Sequence, residues 1–401
     1  MEKFDFVIMG AGIVGLSVAL RLSEIYSNSH IAIIDKEPEI GRHASGRNSG
    51  VMHSGIYYGA DTLKARMCTT GAARMIDFVK EHHIAFQQKG KVIVATTETE
   101  GETLKNLLDN AVNNKIEAYL HTEQEITQYE PYAKAPFGGI YCPGTAVVDS
   151  HAILKQIQAI LLTRKVAFYF NSPLCSVNVT EKSIQVGEKQ HSIHYGYFFN
   201  CTGTSSVRIA KMFAIAKEFE LLPFKGLYYK VKPEKNYLVH SNIYPVPNPL
   251  LPFLGVHLTR VVTNDIYVGP TVIPALGHEN YSLFNNINIK ELGTILKFLT
   301  TMVLQNKQHF RFLVVNEMKK YIKPYFVNAA CKLINGLQAK DLLLAKKVGI
   351  RPQLVNIKNK MLENDFILQN ASHSTHVLNA ISPAFTSALA FADCIVEKAN
   401  I

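Results

Sequence analysis

The first fifteen residues constrain the fold most strongly, because they combine an apolar strand, a glycine turn and a helix start. The apolar run Phe4–Met9 is typical of a buried parallel strand. Gly10, Gly12 and Gly15 follow it in the spacing GxGxxG. Glycines at this spacing permit a tight turn, a close approach of the backbone to a pyrophosphate, and close packing of the helix on the strand.

An acidic residue lies at the distance from this turn at which ribose-binding acids occur. A second apolar run, Ile31–Ile34, ends at Asp35, which lies twenty residues beyond Gly15. A carboxylate placed there accepts hydrogen bonds from a ribose. The sequence therefore predicts a dinucleotide site, with a purely structural glycine turn as the alternative. We expect further contacts to the dinucleotide from three neighbours, Ile13, Val14 and Lys36.

The composition is that of an ordinary globular protein. The chain has 401 residues, of which 47% are hydrophobic and 18% charged, and this length predicts two compact units. It enters its first strand without a basic and apolar leader, so we expect a cytoplasmic location. The six cysteines show no CxxC pair and no metal-ligand spacing. We therefore expect reduced structural thiols and no metal site.

The net charge of +10 has one dense region, from Lys307 to Lys347. A solvated helical face is one interpretation, and a weak attraction to anionic lipid on the inner face of the cell membrane is another. Binding of nucleic acid is the third, but no segment resembles a nucleic-acid-binding module, so we expect no nucleic-acid partner.

The order of patterns along the chain predicts an α/β protein with a discontinuous first unit. Helical periods are centred on Thr62–His83, Glu100–Lys115 and Asp149–Thr163, and Pro383–Lys398 predicts a closing helix. Alternating apolar and polar residues from Leu221 to Pro274 predict a β-sheet. Residues 281–344 have a helical period. Segments from the middle and the end of the chain are expected to complete the nucleotide unit.

Several blocks carry a family resemblance. The glycine turn with Asp35 resembles the FAD-dependent oxidoreductases of the D-amino-acid oxidase type. Within them, further blocks resemble the L-2-hydroxyglutarate dehydrogenases and oxidases nearly end to end. Asp35 and Lys225 stand where such chains usually carry Glu and Arg. The blocks are Gly46–Tyr58, Ile243–Pro245, Pro252–Arg260, Gly349–Pro352 and Leu378–Ser387.

The resemblance implies a fold, a cofactor and a reaction. The expected fold is a glutathione-reductase-type FAD-binding domain (residues 1–80, 145–220 and 345–401) with a discontinuous α+β substrate domain (81–144 and 221–344). The expected reaction oxidises the small dicarboxylate L-2-hydroxyglutarate to 2-oxoglutarate by hydride transfer to flavin N5. Electrons then pass to a quinone-like acceptor or to O2. Oxidation of another hydroxy acid, an amino acid or glycerol 3-phosphate is the alternative, and flavin binding without turnover is a remote one.

Two histidines are candidates for the base that takes the hydroxyl proton. His53 lies in the block that, by the resemblance, passes beside the flavin ring. Catalytic base, flavin contact and covalent attachment point all stay open for it. His257 is the second candidate, with a structural histidine as its alternative. Strand alternation places Arg260 on the opposite face from His257 unless a bulge intervenes.

Cations and tyrosines are the candidates for substrate binding. By the resemblance, Arg351 clamps a carboxylate in bidentate fashion, with a domain-joining arginine as the alternative. A second carboxylate requires a second cation, for which Arg260 and Lys225 are the candidates. Hydroxyl groups for the same site come from a set of tyrosines, for which core packing is the alternative: Tyr57, Tyr58 and Tyr229.

The remaining cofactor contacts come from four places in the chain. The block after the first unit supplies phosphate and flavin contacts, and two strand ends approach the adenine and the pyrophosphate. The residues before the last helix place its positive dipole end at the reduced flavin, with a plain helix start as the alternative. In chain order the predicted residues are Arg47, Asn48, Ser49, Leu174, Gly203, Asn379, Ile381 and Ser382.

Overall fold

The computed structural model describes residues 2–248, 251, 253–282, 285–399 and 401. Pro252, the first residue of the block Pro252–Arg260, lies outside these residues. Helices occur along the whole described chain. The α-helices are α1 (Ile13–Ile25), α2 (Leu63–Glu81), α3 (Glu98–Asn113), α4 (Glu123–Tyr129), α5 (Ser150–Thr163), α6 (Ser206–Met212), α7 (Ile289–Gln305), α8 (Phe310–Lys319), α9 (Lys323–Cys331) and α10 (Ala384–Glu397). Short 3-10 helices span Gly203–Ser205, Pro233–Leu238, Lys307–His309 and Ala339–Asp341.

Strands alternate with these helices and form three sheets. In chain order they are β1 (Glu2–Met9), β2 (Ile31–Ile34), β3 (Val51–Met52), β4 (Phe86–Gln87), β5 (Lys91–Val94), β6 (Tyr119–His121), β7 (Gly139–Cys142), β8 (Ala146–Val148), β9 (Ala167–Tyr169), β10 (Leu174–Asn178), β11 (Ser183–Val186), β12 (His191–Asn200), β13 (Phe219–Val231), β14 (Asn242–Pro245), β15 (His257–Arg260), β16 (Ile266–Gly269), β17 (Ile273–Pro274), β18 (Leu342–Asn356), β19 (Met361–Leu362), β20 (Leu368–Ala371) and β21 (Ser374–Val377).

The first sheet is the parallel sheet that the glycine turn predicts. Five strands run parallel in the order β9, β2, β1, β12 and β21. Three further strands pair antiparallel, β11 with β12, β10 with β11, and β20 with β21. Alternate residues of β1 enter different cores: Phe6 and Ile8 pack with α1, α2, α5 and α10, whereas Val7 and Met9 pack on the opposite face. Burial on both faces explains why Phe6–Met9 of β1 and the whole of β2 are continuous apolar runs.

The second sheet has ten strands and is dominated by a long antiparallel pair. β13 and β18 pair over most of their lengths, and the order then continues through β16, β15, β14, β5, β7 and β6. Strands from residues 81–144 and 221–344 supply most of this sheet, although β18 extends beyond residue 345. A three-stranded sheet of β3, β8 and β4 is separate. The domain boundaries themselves stay a prediction.

The predicted helices are found within two residues of their expected ends, except in the basic region. There, residues 281–344 divide into α7, α8 and α9. Asn306, Gln308 and His309 adopt left-handed backbone conformations between α7 and α8, which interrupts a continuous helix. None of the helices in the described part of the chain is both long and apolar enough to cross a membrane. All six cysteines are free thiols.

Candidate functional site

The turn between β1 and α1 is packed so closely that it excludes side chains at two glycines. Gly10 has a φ of +110°, and a Cβ there would lie 2.5 Å from the carbonyl oxygen of Cys201. A Cβ on Gly15 would lie 1.9 Å from the carbonyl oxygen of Gly10. Gly12, Ile13 and the next residue of α1 line a cavity. The turn therefore presents the N-terminus of α1 to that cavity.

Asp35 lies where the second strand ends, as the sequence predicts, and it also holds the glycine turn. Its carboxylate accepts hydrogen bonds from the backbone N–H of Ala11, at 2.6 Å, and of Glu37, at 2.9 Å. Each carboxylate oxygen keeps a further lone pair. Because Asp35 also lines the cavity, it can still accept hydrogen bonds from a ribose.

The cavity has a volume of about 560 Å³ and a strongly positive lining. Among its described lining residues Asp35 is the single acid, facing six cations: Lys36, Arg42, Arg47, Lys64, Arg208 and Arg351. The same cavity is lined by the glycine turn and by Asp35, Leu174, Gly203, His53 and Arg351. At Gly203 an added Cβ would meet no atom within 4 Å, so the lining is open there. This volume, the open lining at Gly203 and the positive charge fit a dinucleotide with a pyrophosphate.

The loop after β17 packs against two residues of the cavity lining, Arg47 and His43. The guanidinium of Arg47 lies 4.1 Å from the ring centroid of Tyr281, whose hydroxyl hydrogen-bonds His43. Three potential metal ligands meet beside it, Glu37, His43 and Glu279. The ammonium of Lys36 is ion-paired with the carboxylates of Glu37 and Glu279 and neutralises part of their charge. We therefore place no metal there.

The N-terminus of α10 faces the same cavity. Ile381 and Ser382 line it, together with the first residues of α10. Asn379 does not, which corrects the expectation that it contacts the flavin. Its side-chain amide donates to the carbonyl oxygens of Glu363, at 3.1 Å, and Asp365, at 2.6 Å. Asn379 is therefore fully used in joining two chain segments beneath the site.

Strand alternation in β13 corrects two predicted substrate ligands. Phe224, Gly226 and Tyr228 line the cavity, whereas Lys225 and Tyr229 point away from it. The ammonium of Lys225 donates to Asn280 Oδ1 at 2.6 Å and to the Ser282 carbonyl oxygen at 2.7 Å. The Tyr229 ring packs on Phe326 at 4.7 Å. The tyrosine of this strand that lines the cavity is Tyr228.

Arg260 is a third correction, because the structure does not bring it to the cavity. β15 pairs with β16 in regular register from His257 to Arg260, so the bulge needed to place both side chains on one face is absent from this pair. The Arg260 guanidinium donates instead to backbone carbonyl oxygens of Val239, at 2.9 Å and 2.6 Å, and of Asn236. It therefore joins loops on the far face of the sheet.

Arg351 faces the cavity from β18 with its charge unpaired. Its guanidinium lies 4.7 Å from the ring centroid of Phe253, and within the described residues it makes no ion pair or hydrogen bond. Burial lowers the pKa of Arg351 to about 10, so the group stays protonated at neutral pH. A buried charge without a partner is costly. The site therefore favours an anionic ligand beside Arg351.

His257 is held in a single neutral form. Its ring stacks on Tyr244 with centroids 4.0 Å apart, and Nδ1 lies 2.9 Å from the Gly255 carbonyl oxygen. Because a carbonyl oxygen only accepts, Nδ1 must carry the proton, which leaves Nε2 as the unprotonated nitrogen. Burial lowers the pKa of His257 to about 4. This side chain is therefore unprotonated at Nε2 at neutral pH.

His53 lines the same end of the cavity, on the chain segment after β3. Its backbone N–H donates to Thr386 Oγ1 at 3.2 Å, which fixes the segment to α10. Burial, with the nearby charges of Lys91 and His257, lowers the pKa of His53 to about 3. Both predicted bases are therefore uncharged at neutral pH, and they lie close enough that a charge on His257 would lower the pKa of His53.

Two lysines that the sequence did not single out lie beside these histidines. Lys64, in the first turn of α2, is 5% exposed and lines the cavity. Lys91, at the start of β5, is fully buried, and its ammonium lies 4.4 Å from the ring centroid of Tyr57 without a hydrogen-bond partner within the described chain. The one available signal was that Lys91 opens a strand that is otherwise apolar.

The sequence is similar to a known family and to curated relatives over nearly its whole length. Residues 5–398 match the family model of the FAD dependent oxidoreductases, DAO. The L-2-hydroxyglutarate dehydrogenase of Indibacter alkaliphilus is 31% identical over 99% of this chain and 98% of its own length. The enzyme of that name from Escherichia coli K12 is 32% identical, covering 98% and 93%. The mitochondrial L-2-hydroxyglutarate dehydrogenase of Homo sapiens is 31% identical over 99% of this chain and 89% of its own length.

Solved structures share the fold at low sequence identity. FAD-bound L-α-glycerophosphate oxidase from Mycoplasma pneumoniae superposes with a TM-score of 0.76 at 21% identity, over 99% of this chain and 94% of its own. Glycine oxidase from Geobacillus kaustophilus gives a TM-score of 0.73 at 13% identity, over 100% and 96%. These likenesses establish the architecture.

Proposed function

Because this chain belongs to the family of FAD-dependent oxidoreductases, we propose that it oxidises L-2-hydroxyglutarate to 2-oxoglutarate. Curated relatives about 30% identical over nearly the full chain carry the name L-2-hydroxyglutarate dehydrogenase. The observation that carries the proposal is the unpaired Arg351 in a cavity whose described lining contains one acid among six cations. Such a cavity suits both a pyrophosphate and a dianionic substrate.

The residues of this site have separate tasks in the proposed reaction. Bound FAD would supply the acceptor for the hydride of the carbinol carbon. Arg351 binds a carboxylate and thereby fixes the orientation of that carbon. We assign the hydroxyl proton to His257 Nε2, because the Gly255 carbonyl oxygen holds the other ring proton at Nδ1. His53 stays the second candidate for the same step.

The cofactor would lie along the predicted contacts that the cavity brings together. Gly10, Gly12 and Gly203 leave room for the pyrophosphate, and Asp35 receives the ribose. Arg47, Asn48 and Ser49 face it from the segment after the first unit, with Ile381 and Ser382 before α10. The positive end of the α10 dipole stabilises negative charge on the reduced ring.

Anaerobic reduction by the substrate tests this function directly. We expect the flavin absorbance of the purified holoenzyme to bleach on addition of L-2-hydroxyglutarate, with 2-oxoglutarate formed in equal amount to the flavin. The D-enantiomer and glycerol 3-phosphate are the controls and should leave the spectrum oxidised. Bleaching by glycerol 3-phosphate or by an amino acid, but not by L-2-hydroxyglutarate, would refute the substrate assignment.

We further propose that the electrons leave to a quinone-like acceptor at an anionic membrane surface, with O2 as the alternative. The helices α7 to α9 support this, because they expose large apolar side chains to solvent, Ile289 by 85%. Scattered exposed apolar residues are ordinary, but a concentration of them marks an interaction site. The exposed set is Ile289, Leu296, Leu304, Phe312, Val315, Met318, Tyr321, Ile322 and Tyr325.

The charges beside these side chains favour a lipid surface as the partner. Residues 289–332 contain eight lysines and arginines but two acids, Glu291 and Glu317. Glu317 is buried and paired with Lys320, so the solvent meets mainly positive charge. Apolar side chains among exposed cations are typical of helices that lie in an anionic membrane interface.

Vesicle sedimentation checks the membrane contact. We expect the holoenzyme to bind vesicles containing phosphatidylglycerol, and to bind far less to pure phosphatidylcholine. The double substitution Phe312→Glu with Ile322→Glu should weaken binding at least about tenfold, because it removes two inserted side chains and adds negative charge. Val112→Glu, at an exposed apolar position of α3, is the matched control. Equal binding of all three proteins would contradict the proposal.

A further inference from the structure

Two cations reach the same end of the cavity, and neither has an anion bound to it. Within the described residues, Lys64 and Arg351 make no ion pair and no side-chain hydrogen bond, although both line the cavity. The Lys64 ammonium lies 5.6 Å from the ring centroid of Tyr58 and 6.0 Å from that of Phe366. The charge of Arg351 lowers the pKa of Lys64. The fold thus places two positive groups at one site.

Such an arrangement is unfavourable unless a ligand supplies negative charge. A buried ammonium or guanidinium loses its hydration, and two like charges repel. A dicarboxylate offers two anions at a fixed separation, whereas a monocarboxylate leaves one of the cations unpaired. A substrate with two carboxylates is the ligand that matches this pair of charges.

We propose that Lys64 binds one carboxylate of the substrate while Arg351 binds the other, so that Lys64 determines the preference for a dicarboxylate. This rests on the proposed oxidation of L-2-hydroxyglutarate. Lys64 takes the place of Arg260 and Lys225, the cations expected for the second carboxylate, whose side chains are bonded outside the cavity. Lys91 is the other buried lysine nearby, but it lies behind Tyr57 and does not line the cavity.

The start of α2 holds Lys64 in position independently of its ammonium. The backbone N–H groups of Leu63 and Lys64 donate to the two carboxylate oxygens of Asp365, at 2.7 and 2.9 Å. The Thr62 side chain caps the helix by accepting from the Ala65 N–H. Substitution of the Lys64 side chain therefore leaves the helix start and its anchor intact.

If Lys64 binds the ligand, the affinity for the ligand should depend on pH. Burial and, second to it, the charge of Arg351 lower the pKa of Lys64 to about 7, although Asp365 and Cys68 act in the opposite direction. The free enzyme thus loses this proton near neutrality, and a bound carboxylate favours its return. Above about pH 7, binding should take up a proton, and the affinity should fall by up to about tenfold per pH unit.

Binding of two unreactive acids of equal length tests the assignment. Glutarate has two carboxylates and pentanoate has one, and the change in flavin absorbance of the holoenzyme reports the Kd of each. For Lys64→Met we expect glutarate to bind about 10- to 100-fold more weakly, because one charge-assisted hydrogen bond is lost. The Kd of pentanoate should change about twofold or less in the same variant. Lys64→Arg should keep the preference for glutarate.

A lysine that lies outside the cavity serves as the control. Lys230→Met removes a lysine that is paired with Asp265 outside the cavity, and it should change neither Kd. Equal weakening of glutarate and pentanoate in Lys64→Met would overturn the proposal. So would a pH-independent Kd for glutarate between pH 6 and 9, or a loss of FAD affinity without a change in ligand preference.

Failure of this assignment is distinguishable from failure of the proposed function. The glutarate measurement requires no turnover, so it reports on Lys64 even if L-2-hydroxyglutarate does not bleach the flavin. Conversely, normal bleaching by L-2-hydroxyglutarate in Lys64→Met, with unchanged glutarate binding, would retain the reaction and remove Lys64 from the site.

Discussion

Arg351→Met should lower kcat/KM for L-2-hydroxyglutarate by about 10³-fold, which is about 4 kcal/mol. The guanidinium is the buried positive group on β18 that faces the cavity, and it has no protein anion to pair with in the described chain. A methionine fills a similar volume without charge, so the substrate carboxylate would be buried unpaired. The loss includes misalignment of the carbinol carbon as well as weaker binding.

Steady-state kinetics with the flavin content of each preparation measure this effect. Arg351→Lys keeps the charge but loses the planar fork, so we expect a smaller decrease, with KM raised and kcat lowered together. Arg260→Met is the matched control, since this arginine donates to backbone carbonyl oxygens away from the cavity. Its kcat/KM per bound flavin should stay near that of the wild type. Unchanged kinetics in Arg351→Met would remove Arg351 from the site.

The parts of the fold that depend on local sequence were predictable. The first strand, the glycine turn, α1 and Asp35 follow from 35 consecutive residues whose patterns agree with one another. The family, the α/β fold class and FAD as cofactor are confirmed by the family match and by the structural neighbours. The roles of individual site residues stay predictions, because no comparison bears on them.

The alternation of side chains along a strand was predictable from the sequence, but the face of β13 that meets the cavity was not. Alternation separates Lys225 and Tyr229 from Phe224 and Tyr228 on β13. The sequence offered no reason to know which of the two faces meets the cavity, because that depends on the pairing of β13 with β18. For Arg260 the same alternation predicts the face opposite His257, and the regular register of β15 agrees with this prediction.

The buried lysines were not predictable from local pattern. Lys64 lies at the start of an amphipathic helix, where a lysine is usually solvated, and its burial comes from the packing of α2 beside Phe366 and Tyr58. Lys91 is buried because β5 lies between β14 and β7 in the ten-stranded sheet. In both cases residues distant in sequence create the environment, so the sequence carries at most the weak signal that Lys91 opens an otherwise apolar strand.

Gly15→Ala should lower the affinity for FAD by at least about 100-fold, or about 2.7 kcal/mol. An added Cβ would lie 1.9 Å from the carbonyl oxygen of Gly10 and 3.2 Å from Ile8 Cγ2. The first of these atoms belongs to the backbone of the turn, so relief requires α1 to move away from β1. That movement displaces the helix N-terminus and the amides that face the pyrophosphate.

Gly293→Ala is the matched control, because it makes the same substitution within a helix where space is free. An added Cβ on Gly293, in α7, meets no atom within 4 Å. We expect unchanged FAD affinity and a gain of about 0.5–1 kcal/mol in the free energy of unfolding, since alanine restricts the unfolded chain more than glycine. Fluorescence titration of apoprotein with FAD measures both variants, and circular dichroism verifies that they remain folded. Wild-type affinity in a folded Gly15→Ala protein would show that close packing of α1 on β1 is not what positions the cofactor.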